Sequence, residues 1–270
     1  MIRLSDREQS GTDSCWTISC NLRTFDQSTP CAMIRHLPNL ITLLNLVSGG
    51  AALYMVLGNK PAPALAFLLA SVVFDFLDGL VARILKATSE IGKQLDSLSD
   101  QVSFGLVPSA MIFMIMKMVI APGDPDLIGD IPLIYKVMFF SVLFVPVFSA
   151  IRLARFNLQP STEFFLGLPT PAFALFWTGI YYDYMYNQAI FGQSINAWFL
   201  WGVMILMAFM MIVPVPMLTL KFKDFEILPN FTRYLLILLS VVIIVFTGVS
   251  GLPLVILTYI LLSLLKIVLT

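Results

Sequence analysis

From residue 39 onward the chain repeats apolar runs of about twenty residues, the length that crosses the hydrocarbon core of a bilayer. A segment in lipid must satisfy its own backbone N–H and C=O groups, so runs of this length are read as helices. Composition agrees, because 59% of residues are hydrophobic and 12% charged, against about 25% charged in soluble chains. We expect an all-α, polytopic membrane helix bundle of about eight transmembrane helices. The runs fall at approximately 39–57, 62–83, 97–120, 131–153, 169–187, 194–213, 232–248 and 252–269. Asn59-Lys60-Pro61, the Pro/Gly/Asp-rich 122–132, Gln159-Pro160 and Ser250-Gly251 supply turns. The last boundary is tight, and a re-entrant pair is the alternative there.

Residues 1–32 are polar and lack a continuous apolar core, which argues against a secretory signal peptide. They are expected to be a disordered or dispensable extension, with Met33 a candidate start and 33–270 the membrane domain. Cys15, Cys20 and Cys31 all lie in this stretch, without CxxC spacing, and suggest neither a metal site nor a disulfide framework. A formal net charge of zero gives no footprint for nucleic acid. Loops after the second, fourth and sixth runs carry Arg83, Lys86, Lys93, Arg152, Arg155, Lys221, Lys223 and Arg233, whereas the alternate loops carry only Lys60. By the positive-inside rule the first set faces the cytoplasm, as do both termini.

Against this background the stretch Asp75–Asp100, DFLDGLVARILKATSEIGKQLDSLSD, is anomalous. A carboxylate at the centre of a membrane helix costs about 2.5–3.5 kcal/mol on insertion scales. Asp75 and Asp78 are three apart, and Asp96 and Asp100 four apart, so each pair shares a helix face. Convergence of the two pairs at the cytoplasmic rim would make an oxygen-only site for a hard cation, Mg²⁺ or Mn²⁺. Gly79 and Ala82 leave room for a phosphate or nucleotide, and Arg83 offers a guanidinium fork to it. Solvated helix-end charges would explain one such Asp, but not two same-face pairs with small residues between them. An ion-transport site or solute transporter is a further alternative, although its acids belong at the midplane rather than one rim.

The spacing D-x2-D-G-x2-A-R-x8-G-x3-D-x3-D, met here by Asp75, Asp78, Gly79, Ala82, Arg83, Gly92, Asp96 and Asp100, closely resembles the signature of the CDP-alcohol phosphatidyltransferases. That resemblance implies a polytopic enzyme that transfers a phosphatidyl group from a CDP-linked lipid to an alcohol and releases CMP. It implies two divalent ions on Asp75, Asp78, Asp96 and Asp100, with Asp100 doubling as general base. Gly79, Ala82, Arg83, Ser89 and Gly92, with Asn39 and Thr42 of the family-like PNLIT, would contact the CDP-lipid. A homodimer is implied as well.

The acceptor must be sought elsewhere. Arg152, Arg155 and Asn157 of RLARFN close the fourth run. The two arginines could hold an anionic acceptor or anchor the helix at headgroups. A serine carboxylate and a glycerol phosphate would both suit them. RLARFN, FFLGLPTPA (Phe164–Ala172) and PNLITLLNLVSGG look like the membrane-bound phosphatidylserine synthases of bacteria and archaea, over roughly residues 36–175. By that resemblance the substrates are CDP-diacylglycerol and L-serine at the inner membrane. Glycerol 3-phosphate or an inositol phosphate is the alternative acceptor.

Overall fold

The computed structural model describes residues 36–123, 131–158, 165–186, 195–218 and 230–269. The stretch 1–32, with Met33 and the cysteines, lies outside the described residues.

Helix α1 (Leu37–Leu57) starts with Pro38 in its first turn, where a missing N–H costs nothing. Helix α2 (Pro61–Ile84) begins the same way on Pro61 and packs along α1. Helix α3 (Glu90–Asp100) runs without interruption through a π-helical segment, Gln101–Leu106, into α4 (Val107–Ile120). Pro108 has no N–H to continue the α-ladder just beyond that segment. Then follow α5 (Leu133–Ser141), α6 (Phe144–Leu158), α7 (Thr170–Met185) and α8 (Ala197–Ile212). The chain ends in α9 (Phe231–Thr247), a 3₁₀ turn at Gly248–Gly251, and α10 (Leu252–Leu269). The described residues are helical throughout, save turns and one antiparallel pairing, β1 (Phe165–Leu166) with β2 (Pro216–Met217).

Helices α4 and α7 make the centre. Met111, Ile112, Ile115 and Met116 of α4 are fully buried, as are Phe173 and Trp177 of α7. An apolar helix with no polar face belongs inside such a bundle. Helices in lipid gain little from apolar burial and associate through close packing. Accordingly, a Cβ on Gly179 would fall 2.3 Å from Pro253 Cδ, where α7 crosses the start of α10. Gly167 has φ +79°, and its Cβ would meet the Met211 carbonyl at 2.6 Å. Only glycine lets 167–168 bond backbone to backbone with Val215 and Met210.

Among the described residues, five stretches are long and apolar enough to cross a membrane: Leu37–Leu57, Pro61–Ile84, Glu90–Ile120, Leu133–Leu158 and Phe231–Lys266. The expectation of about eight is thus met in part. The runs expected at 169–187 and 194–213 form helices of 16 residues each, about 24 Å long against a core of about 30 Å. The two last expected runs fall within one stretch, broken at the 3₁₀ turn, and α9 and α10 pack on each other. The run at 131–153 is divided at Val142–Leu143. Pro146 lacks the N–H that would bond Val142's carbonyl, and its ring would crowd that group in a continuous helix.

Candidate active site

The last turns of α2 carry Asp75 and Asp78, and α3 carries Asp96 and Asp100. Between them the chain reverses through Lys86, which adopts φ +49°. Ser89 then caps α3, its Oγ accepting from Gly92 N at 3.0 Å. This turn brings both acid pairs together. One carboxylate oxygen each from Asp75, Asp78 and Asp96 lies within 4.8 Å of the others. Asp78 is buried, and its Oδ2 has no hydrogen-bond partner. Asp100, also buried, stands within hydrogen-bond reach of Asp75. Among the described residues it is not part of the three-carboxylate cluster.

A polar network holds Asp100 from behind. Asn45 Nδ2 donates to Asp100 Oδ1 at 3.2 Å, and Ser103 Oγ donates to Asn45 Oδ1 at 2.8 Å. Ser71 Oγ donates to the Asn45 carbonyl at 2.9 Å, and Ser99 Oγ to the Thr42 carbonyl at 2.9 Å. Asn45, Ser71, Ser99 and Ser103 are fully buried. Gly49, one turn beyond Asn45, lets α1 approach the π-helical segment, since its Cβ would lie 2.1 Å from Ser103 Oγ. Buried polar groups of this kind are costly unless mutually bonded. None of these four side chains was among the expected site residues, although polar residues inside apolar runs are the signal that could have found them.

Two cavities meet at the acids. The first, about 410 Å³, is lined by Asn39, Asp78, Gly79, Ala82, Ser89, Gly92, Lys93 and Asp96 among others. Most of the residues expected to contact the CDP-lipid therefore lie on one cavity. Gly92 is required to be small here, as its Cβ would approach Asn39 Oδ1 to 2.8 Å. Arg83 is exposed, with its Nε bonded to the Gly79 carbonyl at 2.8 Å. Thr42 is buried and donates to the Pro38 carbonyl at 3.0 Å.

The second cavity, about 640 Å³, takes its polar end from Asp75, Asp96, Asp100, Arg152 and Thr170. Arg152 Nη1 donates to Thr170 Oγ1 at 3.1 Å, and its buried Nε is unpartnered. The neighbouring basic residue goes elsewhere. Arg155 Nη1 donates to the Ile212 carbonyl at 3.2 Å, on the exposed side of α6. Asn157 Nδ2 donates to Ser97 Oγ at 2.6 Å, and its carbonyl accepts from Lys93 Nζ at 2.6 Å. Arg155 and Asn157 thus tie α6 to α8 and α3 rather than lining either cavity. Tyr259, which lines the second cavity, was not among the expected residues, whereas Thr170 belongs to the FFLGLPTPA stretch that the sequence tied to the acceptor.

The donor set fits a hard divalent cation: oxygen ligands only, three of them convergent, one a buried oxygen without a partner. Closely spaced carboxylates in an apolar bundle also need a compensating charge. Polar cavity, convergent acids and basic residue form a site suited to a charged phosphate ester at a lipid interface.

Residues 35–213 match the CDP-alcohol phosphatidyltransferase family. A CDP-diacylglycerol–serine O-phosphatidyltransferase of Mycobacterium bovis is 31% identical over 218 residues, covering 77% of this chain and 69% of that protein. The protein of the same name from Mycobacterium leprae is 34% identical over 155 residues, spanning 54% of this chain and 47% of its own length. One from Methanocaldococcus jannaschii is 33% identical over 139 residues, 52% of this chain and 57% of that protein. With the match extending over most of the described helices and including all four aspartates, the chain belongs to the CDP-alcohol phosphatidyltransferase family.

Proposed function

We propose that this chain transfers the phosphatidyl group from CDP-diacylglycerol to L-serine, giving phosphatidylserine and CMP. The observation that carries this reading is the meeting of two cavities at Asp96, one polar and bordered by small residues, the other holding Arg152 beside Asp100. The names borne by the relatives support serine as acceptor.

In this mechanism the cytidine and its phosphate occupy the cavity around Asn39, Gly79 and Gly92, with Arg83 at its edge. Asp75, Asp78 and Asp96, with Asp100 adjacent, would hold two divalent cations, Mg²⁺ or Mn²⁺. Such ions supply charge neutralisation on the diphosphate and on the departing CMP. Arg152 receives the serine carboxylate through its free donor capacity. Asp100, held by Asn45, accepts the serine hydroxyl proton. The serine oxygen forms a bond to the lipid phosphorus as the bond from that phosphorus to the CMP oxygen breaks, and CMP leaves with the electron pair. Arg155 and Asn157 fasten the end of α6 to α8 and α3, away from the acceptor.

The reading places the aspartates at the cytoplasmic face of the inner membrane, where soluble serine reaches them. It takes the two 16-residue helices and both arms of the C-terminal pair as crossings, making eight, and includes a homodimer.

CMP release from CDP-diacylglycerol, measured in detergent with divalent metal against serine, glycerol 3-phosphate and an inositol phosphate, tests it. Serine is expected to give the highest kcat/KM. Preference for either phosphate overturns the acceptor, and no release with any of them overturns the reaction. Arg152→Ala is expected to raise the serine KM about 10- to 100-fold, as loss of a charged hydrogen bond does. Arg155→Ala is expected to leave that KM within about twofold, since surface contacts contribute little. Equal effects from the two variants would place both arginines at the acceptor.

A further inference from the structure

The larger cavity does not end at the acids. From its polar end it continues along α9, past Leu236, Ser240, Val241 and Ile244, with Val255 and Ile256 of α10 beside them. Positions 236, 240 and 244 recur every four residues and so lie on one face of α9. From Leu236 to Ile244 that face is about 12 Å long. Leu175 of α7 and Leu153 of α6 supply apolar side chains to the same space. A space with carboxylates and a guanidinium at one end and, Ser240 apart, aliphatic groups at the other has the polarity of a lipid. The matched family segment ends at residue 213, so the α9–α10 wall lies outside it. This wall is also the least buried of the candidate spans, 17% against 61% for Glu90–Ile120.

We propose that the α9–α10 hairpin forms a slot for one acyl chain of the lipid substrate, and that Ile244, toward the far end of the slot, helps set which chain lengths are accepted. The proposal rests on the phosphatidyl-transfer reading and adds to it a selectivity element. An acyl chain moving from bilayer to slot exchanges one apolar environment for another, so little transfer energy is available. Selection must then come from fit: a chain too long for the slot has to bend or withdraw its phosphate from the acids. Ser240, the one polar side chain on this face, donates to the Leu236 carbonyl at 2.7 Å and so presents no unmet hydroxyl to the chain.

The test compares dioctanoyl and dipalmitoyl CDP-diacylglycerol as donors and reads the ratio of their kcat/KM values. Ile244→Trp, which fills the slot's far end, is expected to shift that ratio about tenfold toward the short donor, the discrimination a close-fitting apolar pocket gives. Ile244→Ala lengthens the slot and is expected to shift it toward the long donor, and this smaller change keeps the test open if the tryptophan variant does not fold. Val242→Trp, on the opposite face of α9 and outside the residues that line the cavity, is expected to keep the wild-type ratio. Ratios that do not move in the Ile244 variants, or that move equally with Val242→Trp, overturn the slot. In both cases wild-type CMP release stands. Failure of the underlying reading is distinct, because the wild type would then release CMP from neither donor.

Discussion

Asp100→Asn is expected to lower CMP release by about 10²- to 10⁴-fold, the range that loss of a positioned general base produces. The change is nearly isosteric. The Asn45 Nδ2 donor still finds an oxygen at the position of Asp100 Oδ1, so the network through Ser103 and Ser71 is kept. The side chain also lies outside the three-carboxylate cluster, which leaves the ligand set of Asp75, Asp78 and Asp96 in place. CDP-lipid binding, followed by titration with a fluorescent or radiolabelled donor, is therefore expected to persist within about tenfold while turnover is lost. Full turnover in this variant would remove the base assignment. Loss of binding together with turnover would make Asp100 a ligand first and a base second.

Asp78→Ala is expected to act on binding as well as on rate. It removes the buried carboxylate whose Oδ2 has no partner within the protein. Without divalent metal, loss of this acid should leave thermal stability little changed or raised, because the desolvation of its buried Oδ2 is not offset by a bond. With metal the order reverses. An ion that binds only the folded state at 100 times its dissociation constant stabilises by about 2.7 kcal/mol. Wild-type Tm should rise on adding Mg²⁺ or Mn²⁺, and the variant's should not. Activity is expected to fall on the order of 10³-fold, comparable to loss of a main electrostatic stabiliser. Equal metal-induced shifts in Tm for the two proteins would show that the cation sits elsewhere.

The acids and the small residues around them were legible because chemistry and spacing coincide there. Two helical faces carry two carboxylates each, and the intervening turn is short enough to force them together. The helical class was legible because lipid leaves no other use for runs of this length. What depended on neighbours was not. Arg152 and Arg155 share a face by spacing, yet one reaches Thr170 and the other the Ile212 carbonyl. The positions of α7 and α8 decide between them, and no local pattern encodes that. The Asn45 network was hidden for a related reason, since its members lie 26 to 58 residues apart and meet only when α1, α2 and the π-helical segment pack. The C-terminal pair read as generic membrane helix because a cavity wall made of aliphatic side chains has the same composition as a lipid-facing surface.

The π-helical segment Gln101–Leu106 separates two requirements within one span. Its wider turn, closed by bonds five residues apart instead of four, offsets the phase of everything beyond it. The face that carries Asp96 and Asp100 toward the cavities is thereby set independently of the face that carries Met111 and Ile115 into the bundle centre. A single uniform helix would have to compromise between the two orientations. Removing one residue from this segment, for instance Val102, would restore ordinary pitch and turn the acids and the core side chains about 100° relative to each other. The span works as two short helices with separate clocks, joined where the chemistry is.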